Sequence, residues 1–283
     1  MENKVIIACD STMDLGPDIT SQYKIRTMPI KLFLGNEEYY DSVDISPEYI
    51  YRHYETHNEL PKTSGATAEE FKSFFSKNIS GRNALVFFTI SSEISSNYNS
   101  ACLAAKNFDN VYVVNTENLS TGGGLLVLKA CEMAEEGIAA DIIAQKCSAL
   151  TDKIDASFVI DNLEFLRKGG RCSYLPVFGV NPLKTKLAIS INNGKMSVAK
   201  KYKGTFSNAL KNYIDDKFYD KSIADTTRIF ITHGGCNDKI IEDCVKQVEE
   251  LEIFKEIIVT RAGCAVSSHC GRNTLGVMFL RGI

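Results

Sequence analysis

The sequence predicts an α/β protein of two domains: an N-terminal parallel-sheet α/β domain over residues 1–155 and a C-terminal mixed α+β domain over residues 156–283. Three observations carry this. Short apolar runs alternate with helical patterns through the first half, which implies parallel strands joined by crossover helices. In the second half an Asn193-Gly194 pair separates two strand-like runs, and Asn-Gly favours the tight primed turn of a hairpin. The length of 283 residues suits one large domain or two ordinary ones.

Taken in order, residues 5–9, 83–90 and 110–115 are apolar runs that read as buried strands. Residues 47–57, 68–78 and 97–108 show helical spacing. In the last of these, Tyr98, Ala101, Cys102, Ala105 and Phe108 share one face. Gly122, Gly123 and Gly124 lead into a further helix over 125–136. In the second half, 157–160, 227–232 and 257–260 read as strands, and 187–192 with 195–202 as the hairpin arms. Residues 237–254 read as an amphipathic helix with Ile240, Ile241, Cys244, Val245, Val248 and Leu251 on one side. In parallel sheets of this kind ligands bind beyond the C-terminal strand ends, where loops enter helices.

Composition narrows the function. Apolar residues make up 44% and charged residues 24%, ordinary values for a chain with a packed core. A net charge of −3 argues against a nucleic-acid binder, whose affinity rests on a basic surface. The nine cysteines are odd in number, lack any C-x-x-C pair and sit mostly in apolar patterns, as at Cys9, Cys102, Cys131 and Cys244. Free buried thiols in a reducing compartment fit that pattern better than a disulfide framework. The apolar run after Lys4 stops at Asp10, short of the roughly 7–15 residues of a signal peptide core. The longest run elsewhere, 84–90, is interrupted at Thr89 and is far from the roughly 18 residues of a membrane span. The expectation is a cytoplasmic protein with no integral membrane segment.

Charge is unevenly spread. From Phe165 to Ile214 there are ten basic residues, Lys200, Lys201 and Lys203 among them, and no Asp or Glu. Such a span is either a docking surface for an acidic partner or a face neutralised in space by other segments.

Three hydroxyl-rich loops lie near the ends of the first-half strands: residues 10–15, 61–65 and 90–97. Each taken alone suits helix capping. Together, hydroxyls and free N–H groups at several helix starts suit an anion. Gly169-Gly170-Arg171 places a guanidinium after a flexible turn, able to grip a carboxylate with two parallel hydrogen bonds; its plain alternative is a surface charge. His269 is either a site residue or a structural histidine. Other chemistries find little support. There is no G-x-S-x-G elbow and no Walker G-x-x-x-x-G-K. Gly122–Gly124 lacks phosphate-loop spacing, and tight packing accounts for it. His269 with Cys264 and Cys270, or His233 with Cys236, lacks the second ligand pair of a metal site.

These loops, in this order, resemble the bacterial DegV family along nearly the whole chain. The resemblance rests on Asp10-Ser11, on Pro61-Lys62-Thr63-Ser64, on Ile90-Ser91-Ser92 leading to Ser95 and Tyr98, on Gly169-Gly170-Arg171, and on His269 near Gly271. It implies a fatty-acid-binding protein of lipid metabolism and transport, with two α/β domains and the ligand between them. The carboxylate of an acid such as palmitate would be held by Thr63 and Ser95. Arg171 and His269 would lie close by, with Ser64 and Ser96 as neighbours. The bound long-chain fatty acid is then the ligand, with no cofactor and no metal. Some members deliver the acid to a separate fatty acid kinase, a possible partner here. The sequence departs from the family pattern at Ser96, where Gly is usual, at Asn115-Thr116, where Asp-Ser is usual, and at Gly271-Arg272-Asn273, where Gly-Pro-Gly often follows the histidine. The expected function is non-catalytic binding. The alternatives are an acyl hydrolase using Ser95 and His269, or a docking protein acting through its basic span with lipid as structural fill.

Overall fold

The computed structural model describes residues 4–170 and 185–282. The chain begins with β1 (Val5–Asp10), α1 (Gly16–Gln22) and β2 (Arg26–Met28). A small insert follows: β3 (Lys31–Leu34), β4 (Glu37–Tyr40), α2 (Pro47–His57) and β5 (Lys62–Ser64). Next come α3 (Ala68–Asn78), β6 (Ala84–Thr89), α4 (Asn97–Ala105), β7 (Val111–Asn115), α5 (Ser120–Glu135) and α6 (Ala140–Ser148). The second half holds β8 (Ile154–Ile160), α7 (Glu164–Lys168), β9 (Thr185–Asn192), β10 (Lys195–Lys203), α8 (Phe206–Lys217), β11 (Ala224–His233), α9 (Asp238–Glu249), β12 (Glu256–Arg261), α10 (Cys264–Cys270) and β13 (Thr274–Arg281).

The first sheet is parallel with order β2-β1-β6-β7; the second is mixed with order β10-β9-β8-β13-β11-β12. The α/β class is therefore the one predicted, a parallel sheet followed by a mixed one. The expected division near residue 155 falls within the first residues of β8. β6 reads as a continuous apolar run because it is covered on both faces. On one face Phe87 meets Phe71 and Phe75 of α3, both at ring-centroid distances of 5.4 Å. On the other, Val86 and Phe88 join a core with Leu125 and Leu126 of α5.

α5 lies between the two sheets. Its side chains are buried from Ser120 to Leu128, and its core also contains Phe158, Ile189, Phe230 and Met278 of the second sheet. Over that stretch the helix has no solvent face, and its exposed charges, Lys129 and Glu135, come in the later turns. Its start was misplaced by the sequence reading: Gly122, Gly123 and Gly124 lie inside α5 rather than leading into it. The reason is closeness. A Cβ at Gly122 would lie 2.1 Å from Asn118 Oδ1, and one at Gly124 would lie 2.7 Å from Leu15 Cδ2.

Local signals explain which bounds were legible. α2 has Ser46 as its N-cap, Pro47 in its first turn and Asn58 at φ 55 as its stop. α3 has a full capping box between Thr67 and Glu70. The hairpin turn has Asn193 at φ 48 and Gly194 at φ 77, as a primed turn requires. Elsewhere periodicity overran the helix. α9 ends at Glu249, Glu252 takes φ 58, and Leu251, Ile253 and Phe254 reach the core from a turn. α4 ends at Ala105 in the same way.

Among the described residues, five of the eight basic residues of the span have an acidic partner in space. Lys168 pairs with Glu164 at 3.6 Å, Lys186 with Asp161 at 2.6 Å, Lys195 with Glu93 at 3.3 Å, Lys200 with Asp216 at 2.6 Å and Lys211 with Asp215 at 2.8 Å. Lys201 and Lys203 are exposed on β10, an edge strand, where lysines discourage pairing with another chain. No helix among the described residues is long and apolar enough to cross a membrane.

Candidate functional site

Thr63 and Ser64 sit on β5 and not in a helix-entry loop. β5 pairs antiparallel with β3, Leu32 opposite Thr63, in a three-stranded sheet that the sequence reading missed. Alternation along β5 is hidden because the strand is only three residues long. Leaving the strand, Gly65 passes so close to the turn before α4 that a Cβ there would lie 2.5 Å from Ser96 Oγ and 3.6 Å from Ser95 Oγ. The Thr-Ser-Gly and Ser-Ser-Asn segments are thus packed against each other.

Buried Asp10 at the end of β1 organises this contact. Its Oδ1 accepts from Thr12 N at 3.2 Å and from Thr12 Oγ1. Its Oδ2 accepts from Ile90 N at 3.1 Å and Asn97 Nδ2 at 3.0 Å. Asn97 Oδ1 accepts from Ala66 N at 3.0 Å, and Asn97 N donates to Ser95 Oγ at 3.3 Å. Three strand-end loops are therefore tied through one carboxylate, and Ser95 keeps its own proton to donate. Burial pushes the Asp10 carboxyl up, against the hydrogen bonds from Thr12, Asn97 and Ile90.

The second half closes the site from two sides. The tip of the β9–β10 hairpin rests on the Ser95 loop: Ser91 Oγ donates to Gly194 O at 2.8 Å. α10 presents His269, whose Nε2 lies 2.8 Å from Thr63 Oγ1. Gly169 packs so tightly on that imidazole that a Cβ would lie 2.3 Å from Nδ1, which accounts for the glycine before Gly170. Arg171 lies outside the described residues.

Between the sheets runs a cavity of about 920 Å³, its open mouth included, lined at one end by Thr63, Ser64, Gly65, Ser95 and His269. Its other walls include Ile30, Ile94, Phe158, Leu166, Met196 and Met278. Other lining hydroxyls spend their protons on the protein: Thr12 on Asp10, Ser120 on Asp14 and Thr274 on Cys270 O.

The structure brings Thr63, Ser64, Ser95 and His269 to one cavity end, while Ser96 stands exposed beside Gly65. The departure at Asn115 has a local partner, since Asn115 Nδ2 donates to Ser92 Oγ at 2.9 Å. Arg272 stacks over the Tyr51 ring at 4.8 Å. Asp14 and Asn97 lie in loops the sequence marks, but their roles are not legible there, and Asp41 carries no sequence signal; no short motif distinguishes these residues from capping residues. Among the described residues no group of His, Cys, Asp and Glu is arranged to hold a metal ion. Burial raises the thiols of Cys264 and Cys270 to about 12, so neither is a ready nucleophile.

Fold and cavity together define an α/β binding protein, built on a parallel and a mixed sheet with a small third sheet, whose largely apolar cavity includes a cluster of hydroxyls and an imidazole. The chain belongs to the DegV family: the family model, described as an uncharacterised protein of the DegV family, matches residues 4–282. A fatty acid-binding protein of Thermotoga maritima is 29% identical over 280 residues, 96% of each chain. The structure of a DegV family protein from Thermus thermophilus, described by its fatty acid binding, matches with a TM-score of 0.90 at 25% identity, over 99% of this chain and 100% of that one. At 16% identity and a TM-score of 0.83, over 99% of this chain and 100% of the other, the fold is also that of the Streptococcus pneumoniae fatty acid kinase (Fak) B3 protein, solved loaded with linoleic acid. That last likeness is one of fold.

Proposed function

We propose that this protein binds a long-chain fatty acid such as palmitate and carries or presents it for lipid metabolism. The carboxylate is held at Thr63 and Ser95, with His269 and Ser64 beside it and Ser96 at the rim. The tail runs between the two sheets, the halves 1–155 and 156–283 forming its walls. The observation that carries this reading is the cavity's lining: Thr63 against His269 and Ser95 against Gly65, with apolar walls that include Ile30, Ile94, Phe158, Leu166, Met196 and Met278. Burial of about fifteen methylenes contributes on the order of 12 kcal/mol at ~0.8 kcal/mol each, before ordering losses. The head group then needs only neutral donors, since an unpaired buried carboxylate is costly.

The test is native mass spectrometry of the purified protein with identification of any released lipid. A C16–C18 acid at one per chain supports the carrier reading. A clean apo mass that also fails to take up palmitate removes it. Thr63→Ala with Ser95→Ala locates the site: undiminished palmitate binding by that folded double variant sinks the assignment.

The fold shared with the fatty acid kinase B3 protein supports presentation of the acid to a cytoplasmic kinase. Lys201 and Lys203 are exposed members of the basic span suited to such docking. Neutralising them with Lys200 should slow acyl phosphate formation by that kinase and leave palmitate affinity unchanged; an unchanged rate counts against docking there.

A further inference from the structure

We propose that Asp14 and Asp41 are positioning residues for the head-group site: two buried carboxylates of the first half that grip the start of α10 and so set His269 against Thr63. For its ligand this inference rests on the fatty acid reading above. Asp14 Oδ1 accepts from Gly263 N at 2.8 Å, and Asp41 Oδ1 accepts from Cys264 N at 2.6 Å. Their other oxygens are held from the first half as well. Ser120 Oγ donates to Asp14, and Ser11 Oγ donates to Asp41 at 2.7 Å while accepting from Ile30 N at 3.1 Å. Neither acid lines the cavity; both reach it through α10, and Asp14 also through Ser120, which does line it.

The physical logic is that the first turn of this short, mostly buried helix is held from the other half of the chain. The first N–H groups of a helix have no partner inside it, and negative charge is favoured there. α10 has seven residues, Gly263 is its N-cap and His269 falls in its last turn. A displacement of the first turn therefore carries the imidazole with it. Gly263 marks where the two acids converge. Its φ of −66 is open to any residue, so glycine is needed there for space. A Cβ would lie 2.9 Å from Asp41 Oδ1 and 3.2 Å from Asp14 Oδ1. Cys264 Sγ adds a contact to Ile45 O at 3.2 Å. Burial raises both carboxyls, Asp14 well above its ordinary range, with repulsion from Asp41 and Asp10 adding to it.

The experiment uses the full chain and three variants: Gly263→Ala, which pushes the acids away while keeping their charge, Asp41→Ala, and Asp41→Asn, which keeps an oxygen for Cys264 N. Three readouts are taken: the His269 imidazole nitrogen resonances in the ligand-free protein, thermal unfolding, and palmitate affinity by displacement of a fluorescent fatty acid. Gly263→Ala and Asp41→Ala are expected to shift the His269 resonances and weaken palmitate about tenfold, with Asp41→Asn close to the unaltered protein in both. Folded Gly263→Ala and Asp41→Ala proteins with unchanged His269 resonances would overturn the proposal, whatever their melting temperatures. If Gly263→Ala does not fold, the contrast between Asp41→Ala and Asp41→Asn decides. Failure of the unaltered protein to bind palmitate would count against the ligand reading, and the resonance comparison would still decide the role of the two acids.

Discussion

Thr63 Oγ1 and His269 Nε2 are 2.8 Å apart, joined across 206 positions of sequence and across the two halves of the chain. A hydroxyl has one proton to give. If Thr63 is to donate to a carboxylate, Nε2 must carry a proton and donate to Thr63. On the proposed reading, the pair would then relay a donor from the second half to a ligand held by the first. Thr63→Val is expected to weaken palmitate binding about ten- to hundredfold, the range for a hydrogen bond to a charged group. Thr63→Ser should restore most of it. Titration calorimetry checks both, and equal affinity of the Val variant would remove Thr63 from the head-group site.

Asp10→Asn tests the carboxylate that ties three loops together. All four hydrogen bonds to Asp10 come from donors. An amide must turn its own N–H groups toward one pair of them. A loss of about 1–3 kcal/mol in urea unfolding is expected, along with weaker palmitate binding through the loosened Asn97 and Ser95.

Gly122→Ala tests the packing of α5. The added carbon meets Asn118 Oδ1 at 2.1 Å and Ala156 Cβ at 3.1 Å. Helix propensity favours alanine by ~1 kcal/mol, but overpacking opposes it by about 1–3 kcal/mol. The net expectation is a lower urea midpoint with an unchanged slope. A higher midpoint would show that Asn118 gives way freely.

Glu70 governs part of the acid limb of stability. The Lys31 ammonium at 2.7 Å, with Thr67 N, lowers its carboxyl to about 2. A lowered folded-state value means the stabilisation is present above the unfolded value near 4.3 and is lost as pH falls through about 2. Glu70→Gln should therefore flatten the difference in melting temperature between pH 5 and pH 2 relative to the unaltered protein. Buried Asp10, Asp14 and Asp41 act with the opposite sign, since their raised values give stability that is lost as pH rises through them. The comparison with Glu70→Gln isolates the glutamate from that background.

The sequence by itself determined the α/β class with its parallel first half and mixed second half, the bounds of α2 and α3, the hairpin turn and the hydroxyls that meet at the cavity. Each is written in neighbouring residues: a cap with its stop, a run of apolar side chains, an Asn-Gly pair, a motif within a few positions. Only the tertiary structure decided the rest. The strand nature of Thr63 comes from pairing with β3, and the burial of α5 comes from lying between two sheets. Asp14 and Asp41 acquire their partners from Gly263 and Cys264, more than 200 positions away. Such contacts leave no local period or spacing, because they are set by where the chain returns and not by what lies beside each residue along it.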